Sequence, residues 1–191
     1  MTDKKTDRRV RKTRTLLQQS LIRLMEEKEL QDISVKELAD LADINRGTFY
    51  LHYTDIYDML HKIEDELFIE FNDILDRNLD RGAQLATHRT VLAEVFSFLE
   101  RHRDMARVMM GPHGDSTFIN GLRNLVTERL KRLVAGEESR GEYYYSFIVS
   151  GYVGVIETWL KSPHPLPAEE MAELCSHMMS LATETKTPEG T

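Results

Sequence analysis

Apolar positions recur at intervals of three and four along nearly the whole chain, with few alternating β-branched runs, which predicts an all-α fold. Between residues 7 and 28, Val10, Leu17, Leu21, Leu24 and Met25 form one stripe and the Arg and Lys residues take the other face. A short second helix starts near Val35, with Val35, Leu38, Ala39 and Ala42 inward; Ala39 is small enough to let a neighbouring helix approach. From Ile56 the series Leu60, Ile63, Leu67, Phe71 and Ile74 continues over roughly 25 residues, a rod of ~37 Å at the α-helical rise, long enough to join two bodies. Further helical stretches are expected at about 85–102, 103–110, 116–135, 141–161 and 167–184. Gly82, the segment Gly111 to Asp115, Gly136 and the run Ser162 to Pro167 separate them, with Pro167 placed for a first helical turn.

The ends of the short helices carry the clearest local signals. Ser34 and Glu37 have the spacing of a capping box, the hydroxyl accepting from the Glu37 amide and the carboxylate returning to the Ser34 amide. Asp43 marks a turn, Asn45 is a good N-cap for a helix from Arg46 to about Tyr53, and Thr54 with Asp55 caps the rod. Two short capped helices joined by a three- to four-residue turn have the helix-turn-helix arrangement, whose second helix enters the major groove of DNA.

Composition and charge fit that reading. The 191 residues are 41% apolar and 30% charged, a globular composition able to bury a sizeable core. The net charge of −7 argues against a protein that coats nucleic acid everywhere. Its distribution is uneven: residues 1–53 hold 11 Lys or Arg and 9 Asp or Glu, whereas residues 54–191 hold 14 and 23. Residues 1–14 alone hold seven basic side chains against Asp3 and Asp7, a basic arm that reads equally as a disordered tail or as a minor-groove or phosphate contact. A basic front on an acidic body suits a small DNA contact surface whose body is repelled by phosphate.

On the second short helix, Arg46 can donate a fork to guanine, Asn45 and Thr48 can bond base edges or phosphate, and Gly47 lets the backbone approach. Tyr50 and His52 lie further along, where a hydroxyl or ring N–H reaches phosphate oxygens. Phe49 points into the core with Leu38 and Leu21, and Lys36 and the amides near Ser34 add backbone contacts. The stretch SVKELADLADINRGTFYLHYTDIYDML, Ser34 to Leu60, resembles the DNA-binding signature of the TetR family of bacterial one-component regulators. That resemblance implies an all-helical homodimer that binds a pseudo-palindromic operator as double-stranded DNA and usually represses, releasing it when a small molecule enters the C-terminal body. By position, Lys36, Arg46, Gly47, Thr48, Tyr50 and His52 fall on the family's DNA-contacting sites, and Ser34 and Asn45 on its cap and phosphate positions. The expected domains are therefore a DNA-binding domain over 1–53 and a ligand-binding and dimerisation domain over 54–191. The C-terminal stretches MMGPHGDSTFINGL and GYVGVIETWL are similar to a subgroup frequent in Gram-positive bacteria. The family usually has Gly where this chain has Asp43, a position expected to need positive φ. It commonly has Lys where this chain has Ile56, which leaves a phosphate there to the backbone N–H groups of the helix start.

Other chemistry finds little support in the spacing. Cys175 and His177 stand at i and i+2 and do not share a helix face, and histidines 88, 102, 113, 164 and 177 form no metal-enzyme motif, so neither catalysis nor a metal or other cofactor is expected. A lone Cys and the absence of an apolar signal segment after the basic N-terminus point to the cytosol, and no run is long enough to span a membrane. Met105, Met109, Met110 and Trp159 read as core before they read as a ligand pocket. Gly151 and Gly154, with the tyrosines 143–145, read as packing between copies. The alternative function is a DNA-bound interaction protein whose body binds a protein partner; a buried apolar cavity would favour the effector reading and an exposed apolar patch the partner.

Overall fold

A computed structural model describes residues 3–79, 88–133 and 138–184, all without strands, so the all-α expectation holds there. The expected breaks at Gly82 and Gly136 and residues 185–191 lie outside these. The helices are α1 (Asp3–Glu27), α2 (Val35–Leu41), α3 (Arg46–Tyr50), α4 (Ile56–Leu79), α5 (His88–Arg101), α6 (Arg103–Met109), α7 (Ser116–Leu133), α8 (Glu138–Lys161) and α9 (Ala168–Glu184), with a 3-10 turn over Leu30–Asp32. The chain forms two compact units: residues 1–67 with 108–116, and residues 68–107 with 117–191.

In the first unit the helical stripes converge on one core. Leu17, Leu21, Leu38, Ala39, Phe49 and Met59 are fully buried, and Ile56, Leu60 and Ile63 of α4 join them. Val10 departs from the expected stripe: it is exposed, because the core reaches only the part of α1 from Leu17 onward. The Phe49 ring meets Tyr53 at 5.6 Å, and Arg14 of α1 donates to the Tyr53 hydroxyl and pairs with Glu66 of α4. Residues 108–116 join this unit, with His113 Nδ1 2.8 Å from Glu29 Oε1. Within that segment a Cβ on Gly114 would stand 1.8 Å from the Met109 carbonyl oxygen, an approach that only glycine allows.

In the second unit α5 packs against α9. Phe96 meets Trp159 edge-on at 5.4 Å, and the indole N–H donates to the Leu166 carbonyl at 2.7 Å. Arg103 stacks over the indole and donates to the carbonyls of Trp159 and Leu160 at 2.8 and 3.2 Å. Its guanidinium thus satisfies carbonyls that the end of α8 leaves without helical partners. Trp159 and Met105 are buried here, and Met109 in the first unit, as core residues.

Candidate nucleic-acid interface

The turn between α2 and α3 follows from the backbone groups that α2 leaves open at its C-terminus. Asp43 adopts φ 52°, the sole positive φ at a non-glycine among the described residues. It sits where a glycine usually stands in a Schellman cap: the Ile44 amide donates to Ala39 O at 3.0 Å and the Asp43 amide to Asp40 O at 3.2 Å. Asp43 thus keeps the turn at the cost of a left-handed residue.

Both expected N-caps form, one of them differently. The Asn45 side chain accepts from the Gly47 amide at 2.8 Å. Ser34 Oγ accepts from the Glu37 amide at 3.2 Å, but the reciprocal half of the capping box is replaced: the Glu37 carboxylate takes Lys28 Nζ at 2.5 Å. An ammonium within reach offers a stronger, charge-assisted bond than a backbone amide does. Helix α3 also ends at Tyr50, short of the expected Tyr53. The amides of His52 and Tyr53 both donate to Phe49 O, at 2.9 and 3.0 Å, a tight turn that folds Tyr53 into the core and releases the chain toward α4.

The sequence-predicted site residues then separate cleanly from the core. Ser34, Lys36, Asn45, Arg46, Gly47 and Tyr50 are exposed, Thr48 and His52 are half-buried, and Phe49 between them is fully buried. The side chains of Arg46 and Lys36 make no hydrogen bond or ion pair among the described residues. Lys62 was not anticipated. Its ammonium donates to the His52 carbonyl at 3.3 Å, pairs with Asp58 at 2.9 Å and lies over the Tyr53 ring at 5.5 Å. The only sequence signal for it is the Asp58–Lys62 spacing of i, i+4.

The start of α4 is held by side chains at its first turn. Asp55 Oδ1 accepts from the Asp58 amide and Asp58 Oδ2 from the Thr54 amide, each at 2.8 Å. The hydrogen bond from Lys62, helped by that from the Thr54 amide, holds the Asp58 carboxyl below its ordinary value. Ile56, where the resemblance led to an expected Lys, is buried at 4% exposure, so that position packs the core.

In the second unit, an open cleft of about 350 Å³ is lined by Arg123, Thr127, Lys131, Glu142, Tyr145 and Ser146, among others. A second, of about 470 Å³, runs between α8, the loop after it and α9, past Gly151, Gly154, Trp159, Leu166 and Met171. On α8 and α9, Tyr143, Phe147, Leu174 and Met178 are exposed. A Cβ on Gly151 or Gly154 would meet nothing within 4 Å. Cys175 is buried and His177 exposed, as their spacing requires. No described helix is long and apolar enough to cross a membrane.

Residues 87–181 match the model of a transcriptional regulator C-terminal region of the TetR class. Over 102 residues the chain is 30% identical to an uncharacterised HTH-type transcriptional regulator, YxbF of Bacillus subtilis, a match covering 49% of this chain and 25% of that protein. The chain thus spans about a quarter of the length of that curated relative. A TetR transcriptional regulator from Streptococcus agalactiae superposes with a TM-score of 0.59 at 21% identity, covering 91% of this chain and 96% of that one. A TetR/AcrR-type regulator from Aquifex aeolicus superposes at 0.67 and 16% identity, covering 89% and 99%. At these identities the two structures establish a shared fold.

Proposed function

This chain belongs to the TetR family of transcriptional regulators, a family of regulators and not of enzymes, and we propose that it binds a pseudo-palindromic operator as a homodimer and represses transcription. The observation that carries the proposal is the exposed polar face of α3, set on a buried Phe49 and fixed by the Asn45 cap. Arg46 and Thr48 read base edges there. Gly47 admits the backbone, Asn45 and Ser34 serve caps and phosphates, and Lys36, Tyr50 and His52 hold phosphates. The two copies of α3 would enter successive major grooves about 34–36 Å apart.

Tyr143, Phe147, Leu174 and Met178 support α8 and α9 as the face between the two copies, where Gly151 and Gly154 would admit a close helix. A small-molecule effector follows from the family alone, because the clefts of the second unit are open and are not the buried apolar cavity that would favour it. Its entry would shift α4 and spoil the spacing of the two reading helices.

Fluorescence anisotropy with the DNA flanking its own gene tests the reading. The protein should prefer that DNA over a scrambled duplex at about 0.15 M salt, where non-specific phosphate attraction is screened. Equal affinity for both sinks it. Retained specific binding whose release needs a protein and no small molecule would favour the interaction-protein reading instead.

A further inference from the structure

We propose that His61, Glu64 and Asp115 form a binding site for a divalent transition-metal ion of the zinc, cobalt or nickel kind. The three residues belong to the first unit, and one ligand atom from each lies within 4.8 Å of the others. His61 and Glu64 stand at i and i+3 on α4, one turn apart on the same face. Asp115 comes from 51 residues further on, at the end of the segment that His113 ties to Glu29 and that Gly114 draws against the Met109 backbone.

Glu64 supplies an independent sign of a ligand. Its side chain is among the few polar ones buried in the core, at 8% exposure, and its Oε1 has no hydrogen-bond partner. An unpaired buried carboxylate oxygen is costly, and a cation facing it removes that cost.

The donor set selects the kind of ion. One imidazole with two carboxylates suits first-row transition metals, whereas calcium and magnesium take oxygen ligands. Bonds of about 2.0–2.2 Å place neighbouring donors roughly 3.0–3.4 Å apart, so the cluster must close by about an ångström or more. His61 is exposed, so it can turn toward the fixed Glu64. Solvent fills the remaining positions on the exposed His61 side. The ion would tie α4 to residues 108–116 inside one unit, independently of whether the protein binds DNA.

The test is titration of chelator-treated full-length protein with zinc chloride by calorimetry and with cobalt(II) by visible absorption, alongside melting temperature. The expected result is one ion per chain, a raised melting temperature, and a cobalt spectrum that changes in His61→Ala through loss of the nitrogen donor. Glu64→Gln and Asp115→Asn should each weaken the metal about tenfold or more, while His177→Ala, away from the cluster, leaves it unchanged. Circular dichroism of the apo variants confirms that they are folded, and Asp115→Asn stands in should Glu64→Gln fail to fold. Absence of binding, or binding and a cobalt spectrum indifferent to all three cluster variants, would overturn the site.

Discussion

Asn45 Oδ1 accepts the Gly47 amide at 2.8 Å, and a Cβ placed on Gly47 would stand 3.2 Å from that same oxygen. One atom of Asn45 therefore both starts α3 and limits what can occupy the second position of that helix. Asn45→Ala should cost about 1 kcal/mol in urea denaturation, and Asn45→Ser, which keeps an acceptor, a few tenths. For Gly47→Ala, the helix gains about 0.5–1 kcal/mol of backbone entropy while the cap is crowded, so stability should change little. A large loss in Gly47→Ala would show that the cap cannot yield.

At Asp43 the turn holds a left-handed residue inside a complete Schellman pair of hydrogen bonds. Replacement by glycine keeps both backbone bonds and removes the Cβ penalty, so Asp43→Gly should stabilise the protein by about 0.5–1 kcal/mol. Asp43→Val should destabilise it. Paired denaturation curves measure both signs at once.

Gly114 leaves no such latitude. A methyl group there would overlap the Met109 carbonyl carbon and oxygen, which are backbone and cannot swing aside. Gly114→Ala should cost on the order of 2 kcal/mol or more, read as a drop in melting temperature.

Burial alone would raise the carboxyl of Glu70, but hydrogen bonds from Arg101 Nη2 at 2.7 Å and His102 Nε2 at 2.9 Å outweigh it, and the net direction is downward from the ordinary 4.5. A carboxyl held low in the folded state contributes stability above its unfolded value and loses it as the pH falls through the folded value. Glu70→Gln should thus be less stable than the parent at about pH 7, by up to about 1 kcal/mol given the partial exposure of the pair. The gap should narrow by about pH 4. A gap that widens in acid would reverse the assignment.

Arg46 has no partner of its own among the described residues, so its loss should leave the fold alone. Arg46→Ala is expected to keep helicity, melting temperature and oligomeric state while losing specific operator binding by about 1–3 kcal/mol. A normal footprint from the variant would remove Arg46 from the reading set.

The sequence carried the parts of this structure that neighbours along the chain decide. Ser34, Asn45 and Asp55 cap because a side-chain oxygen sits two or three residues from an open amide, and Ile56 to Ile74 bury because their spacing follows the helical turn. Asp43 could be singled out because only few residues tolerate its φ. What distant residues decide was not legible. Glu37 left its capping role because Lys28, just past the end of α1, came within reach, and α3 ended early because Tyr53 turned into the core below Phe49. The gathering of His61 and Glu64 with Asp115 likewise depends on where the chain returns after α6, and Lys62 reaches the His52 carbonyl only once α4 has its direction.

With five residues, α3 is about 7.5 Å long, which matches roughly two base-pair steps along a groove. In the proposed dimer a reader of that length, used twice, would touch about four to six pairs directly. That is too little information to single out one address among about a million or more competing positions on a genome. On that proposal the remaining discrimination would fall to distance and stiffness: the separation of the two readers, and how easily the untouched central pairs bend to meet it. Changing the length of that central spacer should accordingly injure recognition more than changing its letters.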